Sequence, residues 1–541
     1  MISIILKNFL FLYITYSFGL FFLYNILRFK NNFNFYETSL IGLVFILFVS
    51  QFLNYLIPLN DYLLYLSFFI SIFFFILNKK FFFKGLQIDY KILVLVLVIS
   101  LINIYGSEFS DDTYHYHYAS ITNYDEKNLI WGNSHLHPLF GSMSLWLTGH
   151  SFFNFDNSRL QDIHILNGLI FLLVLGLFIN EIFHNKSKQD QIKGLLFSIL
   201  IFILFKYTRL KEFGIDRPAI LLFCFLIYYY LKFFKHDIKN LIENFVIIFV
   251  ISIAIISIKI TYLPIIFLPL ILFFVYRDNL LKIHVKYLIV IFVFFIFFSK
   301  NILSSGCIIY PLSISCLNFI NWSDSSKVYE FALSAEIFNK SWTSYEGTLA
   351  KDVYIQDFNW IKTWFNRGKV EILELLILTL VCSLISLLIY NFNFNFKNYI
   401  KNYKNFKILF FYLILLILFS FFIYIFKNPV IRMNYHVLIS INLILVCLFF
   451  NPYGIKIKKH LLILFIFIGL MFNFMKNFNR IYQENFINNP YMKIESKIAK
   501  TSTHKIGDFT YYQGWYGKAP IGNQVLKDRN YKKKFIFDII Y

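Results

Sequence analysis

Apolar stretches recur from one end of the chain to the other, parted by short polar loops. They lie near 3–27, 39–58, 61–77, 91–105, 163–183, 193–208, 218–234, 244–260, 262–276, 285–300, 371–390, 408–427, 435–450 and 460–475. A helix of roughly 20 apolar residues crosses ~30 Å of hydrocarbon, so stretches of this length read as membrane helices. Short segments of period-two alternation, which a membrane barrel needs, are not seen. The pattern predicts an all-α polytopic membrane protein with about fourteen transmembrane helices. The first stretch has span length and lacks a small-residue cleavage site, so it reads as a retained helix and not a signal peptide.

Composition agrees. Hydrophobic residues make up 58% of the 541 and charged residues only 15%, against about 25% charged in soluble domains. The 71 Phe and 38 Tyr, with abundant Ile, Asn and Lys, read as the mark of an A+T-rich genome, so aromatic content is no functional signal. A net charge of +21 would suggest nucleic acid in a soluble protein. Here the lysines cluster in the loops at 28–32, 78–85, 184–193, 232–239, 277–286, 397–407 and 456–459. These loops all fall on one side of the predicted spans, as cytoplasmic loops should, and no nucleic-acid partner is expected. The outer face then receives 106–162, 206–217, 259–263, 301–370, 427–436 and a tail, 476–541. Three helical blocks, 1–105, 163–300 and 371–475, alternate with these outer segments, and the tail is expected to pack on them as a small cap.

Nearly all the polar residues that look out of place fall on that outer face. The segment SDDTYHYH (110–117) follows an apolar stretch directly. Ser110 is a candidate N-cap for a short helix starting at Asp111. On that helix Asp111 and Asp112 would share a face with His115. A helix N-terminus holds a carboxylate ionised. Such a carboxylate either caps the helix or does chemistry: it can take a proton from a hydroxyl, orient it, or hold a divalent cation. His115 and His117 would point about 200° apart on a helix and could not chelate one ion together, though on an extended chain they could. Further on, His135 and His137 flank a leucine before Pro138, and the apolar stretch 139–153 reads as a helix lying in the membrane interface. Hydrogen bonding to a sugar or phosphate is the competing use for these histidines.

Three outer segments break the orientation bias. They carry Lys206, Arg209, Lys211 and Arg217, then Lys259, then Lys427 and Arg432. Such cations serve either an anionic ligand or lipid phosphates reached by snorkelling. Asp216 either caps the helix that begins at Pro218 or takes part in a site. Cys307 and Cys316 are the cysteines placed outside the spans, where an oxidising compartment would allow a disulfide. Cys224, Cys382 and Cys447 fall inside spans and read as packing residues. Phosphate-binding glycine loops, a nucleophile elbow and Cys-x-x-Cys are absent.

The acidic pair followed by GNSHLHPLFGS (132–142) resembles the GT-C class of integral membrane glycosyltransferases, although three spans precede the helix leading into the pair where that class usually has one. A closer similarity is to a poorly characterised family of bacterial polytopic membrane proteins. It rests on D-x-x-x-Y/H-x-H, NSHLH (Asn133–His137), D-x-P (Asp216–Pro218) and SGC-x-x-YP…C…W (Ser305–Trp322). The resemblance implies a glycosyltransferase at the periplasmic face of the bacterial inner membrane, taking a polyprenyl-phosphate-linked sugar from among the membrane lipids. Asp111 or Asp112 would be catalytic. His115, His117, His135, His137, Arg209, Lys211, Asp216, Arg217, Lys259 and Arg432 would bind substrate. A polymerase of lipid-linked oligosaccharides and a flippase or transporter are the alternatives; transport predicts broken helices with charge near the midplane, and the spans are mostly free of interior charge.

Overall fold

The structure is a computed structural model. It describes residues 2–30, 33–85, 89–105, 112, 116–154, 165–184, 190–208, 210, 214–233, 240–282, 284–389, 404–449, 458–483, 502–513, 519–522, 526 and 529–541. Long helices dominate. Among the described residues, seven are long and apolar enough to cross a membrane, and four more apolar helices are shorter. The chain is thus a helical membrane protein.

The helices sort into an inner and an outer layer by burial. Of the most apolar windows of Ile165–Phe183 and Leu241–Ile258, 94% and 89% are buried, against 33% in Lys407–Phe426 and His460–Gln483. Helices of the first kind have only protein around them. Those of the second turn Leu, Ile and Phe outward, where lipid is the natural neighbour. The first two helices, Ile2–Leu20 and Phe35–Asn54, touch backbone to backbone. A Cβ on Gly42 would lie 1.9 Å from the Thr15 carbonyl, and one on Gly19 would lie 2.0 Å from that of Thr38. Small residues permit this approach, and van der Waals contact then holds the pair. Asn34 starts the second helix with a reciprocal cap: its side chain accepts from the Glu37 amide, and Glu37 accepts from the Asn34 amide.

Three elements add detail to the expected pattern, and one of them departs from it. The stretch 262–276 is continuous but not α-helical throughout: a 3-10 helix, Ile260–Ile266, leads directly into the α-helix Phe267–Val275. Pro264 lies inside the first piece and cannot donate to an α-helical ladder. The stretch 139–153 is not a surface helix. It forms a 3-10 turn, Pro138–Ser142, and a helix, Leu145–Phe152, with all eight residues of the latter buried. Gly149 sits against Leu47, and the Trp146 indole donates to Asn167 at 2.8 Å. Of the helix expected from Asp111, Asp112 is helical, and a π turn that includes Tyr116 and His117 leads into the helix Tyr118–Glu126; Ser110 and Asp111 lie outside the described residues.

One end of the bundle is covered by the loops and by the tail, which is a β unit. Strands β1 (Ser502–Ile506) and β2 (Phe509–Gln513) pair antiparallel, and β3 (Ile521–Gly522) runs parallel to β2. A second ladder joins β4 (Tyr531–Lys534) to β5 (Phe537–Ile540). The tail is latched to the first loop at several places, among them the Asn128 side chain, which donates to the Ile536 carbonyl at 2.9 Å. The Asn123 side chain donates to the Ile521 carbonyl at 3.0 Å and accepts from its amide at 2.7 Å. The Ala519 amide donates to Glu126 at 2.7 Å. Trp131 exchanges main-chain bonds with Asp538 and Ile540 at 2.9 and 3.0 Å. The second loop is tied in by Arg529, which donates to Asp324 at 2.5 Å. Within that loop a disulfide joins Cys307 to Cys316.

Asn123→Ala removes both bonds to Ile521. Two buried hydrogen bonds are worth about 2 kcal/mol together, so amide exchange at Ile521 and Gly522 should quicken roughly thirtyfold while helical circular dichroism is unchanged. Hydrogen–deuterium exchange in detergent reads this directly, and unchanged protection would show that the tail is held by other contacts.

Candidate functional site

A cavity of about 610 Å³ opens at the capped end of the bundle. Its wall draws on six distant segments: Asp112, Tyr116 and His117; Asp216 and Arg217; Ile258 and Lys259; Lys300 and Asn301; Glu371; and Arg432 and Tyr435. Local structure explains the placement of each. Asp216 and Arg217 open the helix Asp216–Phe233, where Pro218 fits the first turn. Lys259 follows the helix Leu241–Ile258 in an extended conformation, φ −153° and ψ 120°, so its side chain leaves the helical ladder. Arg432 lies in the 3-10 turn Ile431–Asn434.

The charges form a continuous alternating chain. The Lys259 ammonium pairs with Asp216 Oδ1. The other oxygen of Asp216 lies 3.6 Å from Arg432 Nε, and Arg432 Nη2 lies 3.4 Å from Asp112 Oδ2. The two ends of this chain differ in strength. Lys259 and Asp216 expose only 13% and 23% of their side chains, whereas Arg432 and Asp112 expose 43% and 41%. A pair as exposed as the latter is worth ~0.2–1 kcal/mol. A ligand anion can therefore take Arg432 from Asp112 at little cost, while the inner pair stays fixed. Arg217, Lys259 and Arg432 line the cavity beside Asp112, Asp216 and Glu371, with Lys300 bound to neutral carbonyls. Arg432, half exposed and weakly paired, is the cation that an incoming anion can reach.

His117 reaches the same cavity and is buried, with neither ring nitrogen hydrogen-bonded among the described residues. Burial pushes its pKa down to about 4, against the opposing pull of Asp112 and Asp216. It is a neutral imidazole near pH 7, with a donor and an acceptor to offer a ligand. Arg217 sits over the Tyr207 ring, 5.9 Å from its centre.

The remaining sequence candidates separate. His135 and His137 do not line this cavity. His135 Nε2 lies 3.1 Å from the Trp322 carbonyl, and burial and Arg529 lower its pKa to about 4. His137 Nδ1 accepts from the Leu139 amide at 3.1 Å and so caps the turn Pro138–Ser142. Lys427 pairs with Glu336 at 2.7 Å. Asp111, His115, Arg209 and Lys211 lie outside the described residues. Among the described residues, no group of three or more His, Cys, Asp or Glu side chains is placed to hold a metal ion.

Sequence reasoning missed Lys300 and Glu371. Lys300 is buried and donates to the carbonyls of Ser142, Met143 and Ser257 at 3.1, 3.2 and 2.8 Å. It ties the 3-10 turn of the first loop to the end of a core helix and forms the cavity floor. The signal was an ionisable residue near the end of an apolar run, FFSKNIL, where a lysine more often reaches for water. Glu371 accepts from the Tyr435 hydroxyl at 3.1 Å.

Two outcomes follow. Lys300→Met strips three buried carbonyls of their donor and should cost about 3 kcal/mol, read as a lower thermal midpoint in detergent. The histidines set a pH dependence. His117 and His135 are depressed in the folded state, so the unfolded chain binds more protons between pH ~6.5 and ~4. Their contribution is fully present above ~6.5 and is lost as pH falls toward 4, by roughly 3 kcal/mol each. Thermal midpoints measured across that range should fall, and less steeply for His117→Gln.

No curated protein matches the chain, and no solved structure does. A family described as a domain of unknown function (DUF8201) matches residues 1–439. That span holds the whole charged chain from Asp112 to Arg432 and leaves the β tail outside. The chain belongs to the DUF8201 family.

Proposed function

We propose that the protein is a membrane-embedded glycosyltransferase of the GT-C type, with fourteen transmembrane helices. It acts at the periplasmic face of the bacterial inner membrane on a polyprenyl-phosphate-linked sugar in envelope glycan assembly. The observation that carries this reading is the alternating chain Asp112–Arg432–Asp216–Lys259 in one cation-rich cavity at the end of an apolar bundle. Orientation is supported by charge: along the sequence the lysine-rich loops alternate across the apolar stretches with the segments that line the cavity, as positive-inside loops do.

The chemistry follows from the geometry. The phosphate of the donor takes the exposed side of Arg432, with Arg217 beside it, and frees the Asp112 carboxylate. Asp112 accepts the proton of the acceptor hydroxyl as the hydroxyl oxygen bonds to the anomeric carbon. The bond from that carbon to the phosphate oxygen breaks, and its electron pair leaves on the phosphate, where the guanidinium groups stabilise it in a water-poor site. Lys259 holds Asp216, and Asp216 in turn aims Arg432. His117 gives a neutral hydrogen bond to the sugar.

Transfer from an undecaprenyl-phosphate-linked sugar in proteoliposomes tests the scheme. Asp112→Asn should slow turnover at least ~100-fold, with the protein still folded in detergent. Arg432→Ala should raise the KM for the donor about tenfold or more. Full activity in Asp111→Asn, Asp112→Asn and the double variant would sink the mechanism.

A further inference from the structure

A second cavity, of about 550 Å³, adjoins the first on its outer side. Both are lined by Tyr310 and Phe331, so this pair is the wall between them. The two rings stack at 5.8 Å and 19°. The wall is rigid. The Tyr310 hydroxyl donates to the Pro138 carbonyl at 2.7 Å, and the ring lies so close to Gly141 that a Cβ there would be 2.7 Å from it. Cys307, of the disulfide, and Val328 pack in the same small core.

The chemistry of the two chambers differs. The inner one is cationic. The outer one offers the side chains of Ser134, Glu330 and Ser334, which make no hydrogen bond among the described residues, and the Lys327 side chain, beside the aromatic wall. Its other carboxylate, Asp324, is already committed to Ser326, Lys327 and Arg529, which hold it below the usual carboxylate range against the effect of burial. Hydroxyls, a free carboxylate and an aromatic surface in one pocket suit a neutral ring rich in hydroxyl groups. Its C–H face lies on the aromatic side chains and its hydroxyls donate to Glu330.

We propose that this outer chamber binds the glycan acceptor, with the Tyr310–Phe331 wall setting the path by which its hydroxyl meets the donor. The role as acceptor rests on the transferase reading; the binding of a neutral glycan does not. The full-length protein in detergent is titrated with two probes: neutral disaccharides (maltose, lactose and cellobiose) followed by saturation-transfer NMR, and undecaprenyl phosphate followed by native mass spectrometry. Ser334→Trp fills the chamber from an exposed helix position and should weaken disaccharide binding about tenfold or more, with undecaprenyl phosphate changed less than about twofold. Glu330→Gln, which keeps the side-chain size, should also weaken the disaccharide. Arg432→Ala should do the reverse, weakening the phosphate probe alone. Absence of disaccharide binding at millimolar concentration, or binding unaffected by both Ser334→Trp and Glu330→Gln, overturns the proposal. Undecaprenyl phosphate binding untouched by Arg432→Ala overturns the transferase reading instead and leaves the glycan site standing.

Discussion

The Lys300 ammonium satisfies three carbonyls that no helix reaches, and the same device recurs at three other helix ends among the described residues. A helix that stops among other helices leaves its last carbonyls without donors, and hydrocarbon offers none. Here side chains supply them. Asn54 donates to the carbonyls of Tyr124 and Lys127 at 3.1 and 3.2 Å. Asn473 reaches Tyr207 at 3.0 Å, Arg480 reaches Thr208 at 2.6 Å, and Trp322 reaches Ile302 at 2.8 Å. Because these donors come from remote segments, meeting the hydrogen-bond requirement also ties the loops to the helices. The cavity exists because its floor and rim are stitched in this way.

Against that rigid frame the charged chain is graded. Its inner member is buried and paired, and its outer member is exposed and exchangeable. A site that must both hold a residue in place and release a cation to a ligand needs this asymmetry. Three strong pairs would leave no cation to bind with, and three weak ones would leave the arginine unaimed.

How far the sequence foretold this depends on the range of each interaction. The helices were legible because an apolar run of span length has few other solutions. Lys259, Arg217 and Arg432 were legible because each violates an orientation bias that the other loops obey. The contact of Asp112 with Arg432 was not, since 320 residues separate them and neither carries a mark of the other. Lys300 was passed over at the end of a run, where a lysine normally reaches for water; only the fold shows that three carbonyls surround it. The helix Leu145–Phe152 was taken for an interfacial one because it is short and apolar, yet its Ser144, Thr148, Gly149 and Ser151 are the small residues that permit burial. The ladders of the tail rest on pairings with residues near 123 and 131, which no local pattern announces.

The latch between Asn123 and Ile521 spans 398 residues. A ribosome makes the first partner long before the second, so throughout synthesis the first loop must wait with an amide and a carbonyl unmet. The bundle can insert helix by helix, but its lid is fastened in a final step. Arrival of the tail is thus registered at this joint together with those at Glu126, Asn128 and Trp131.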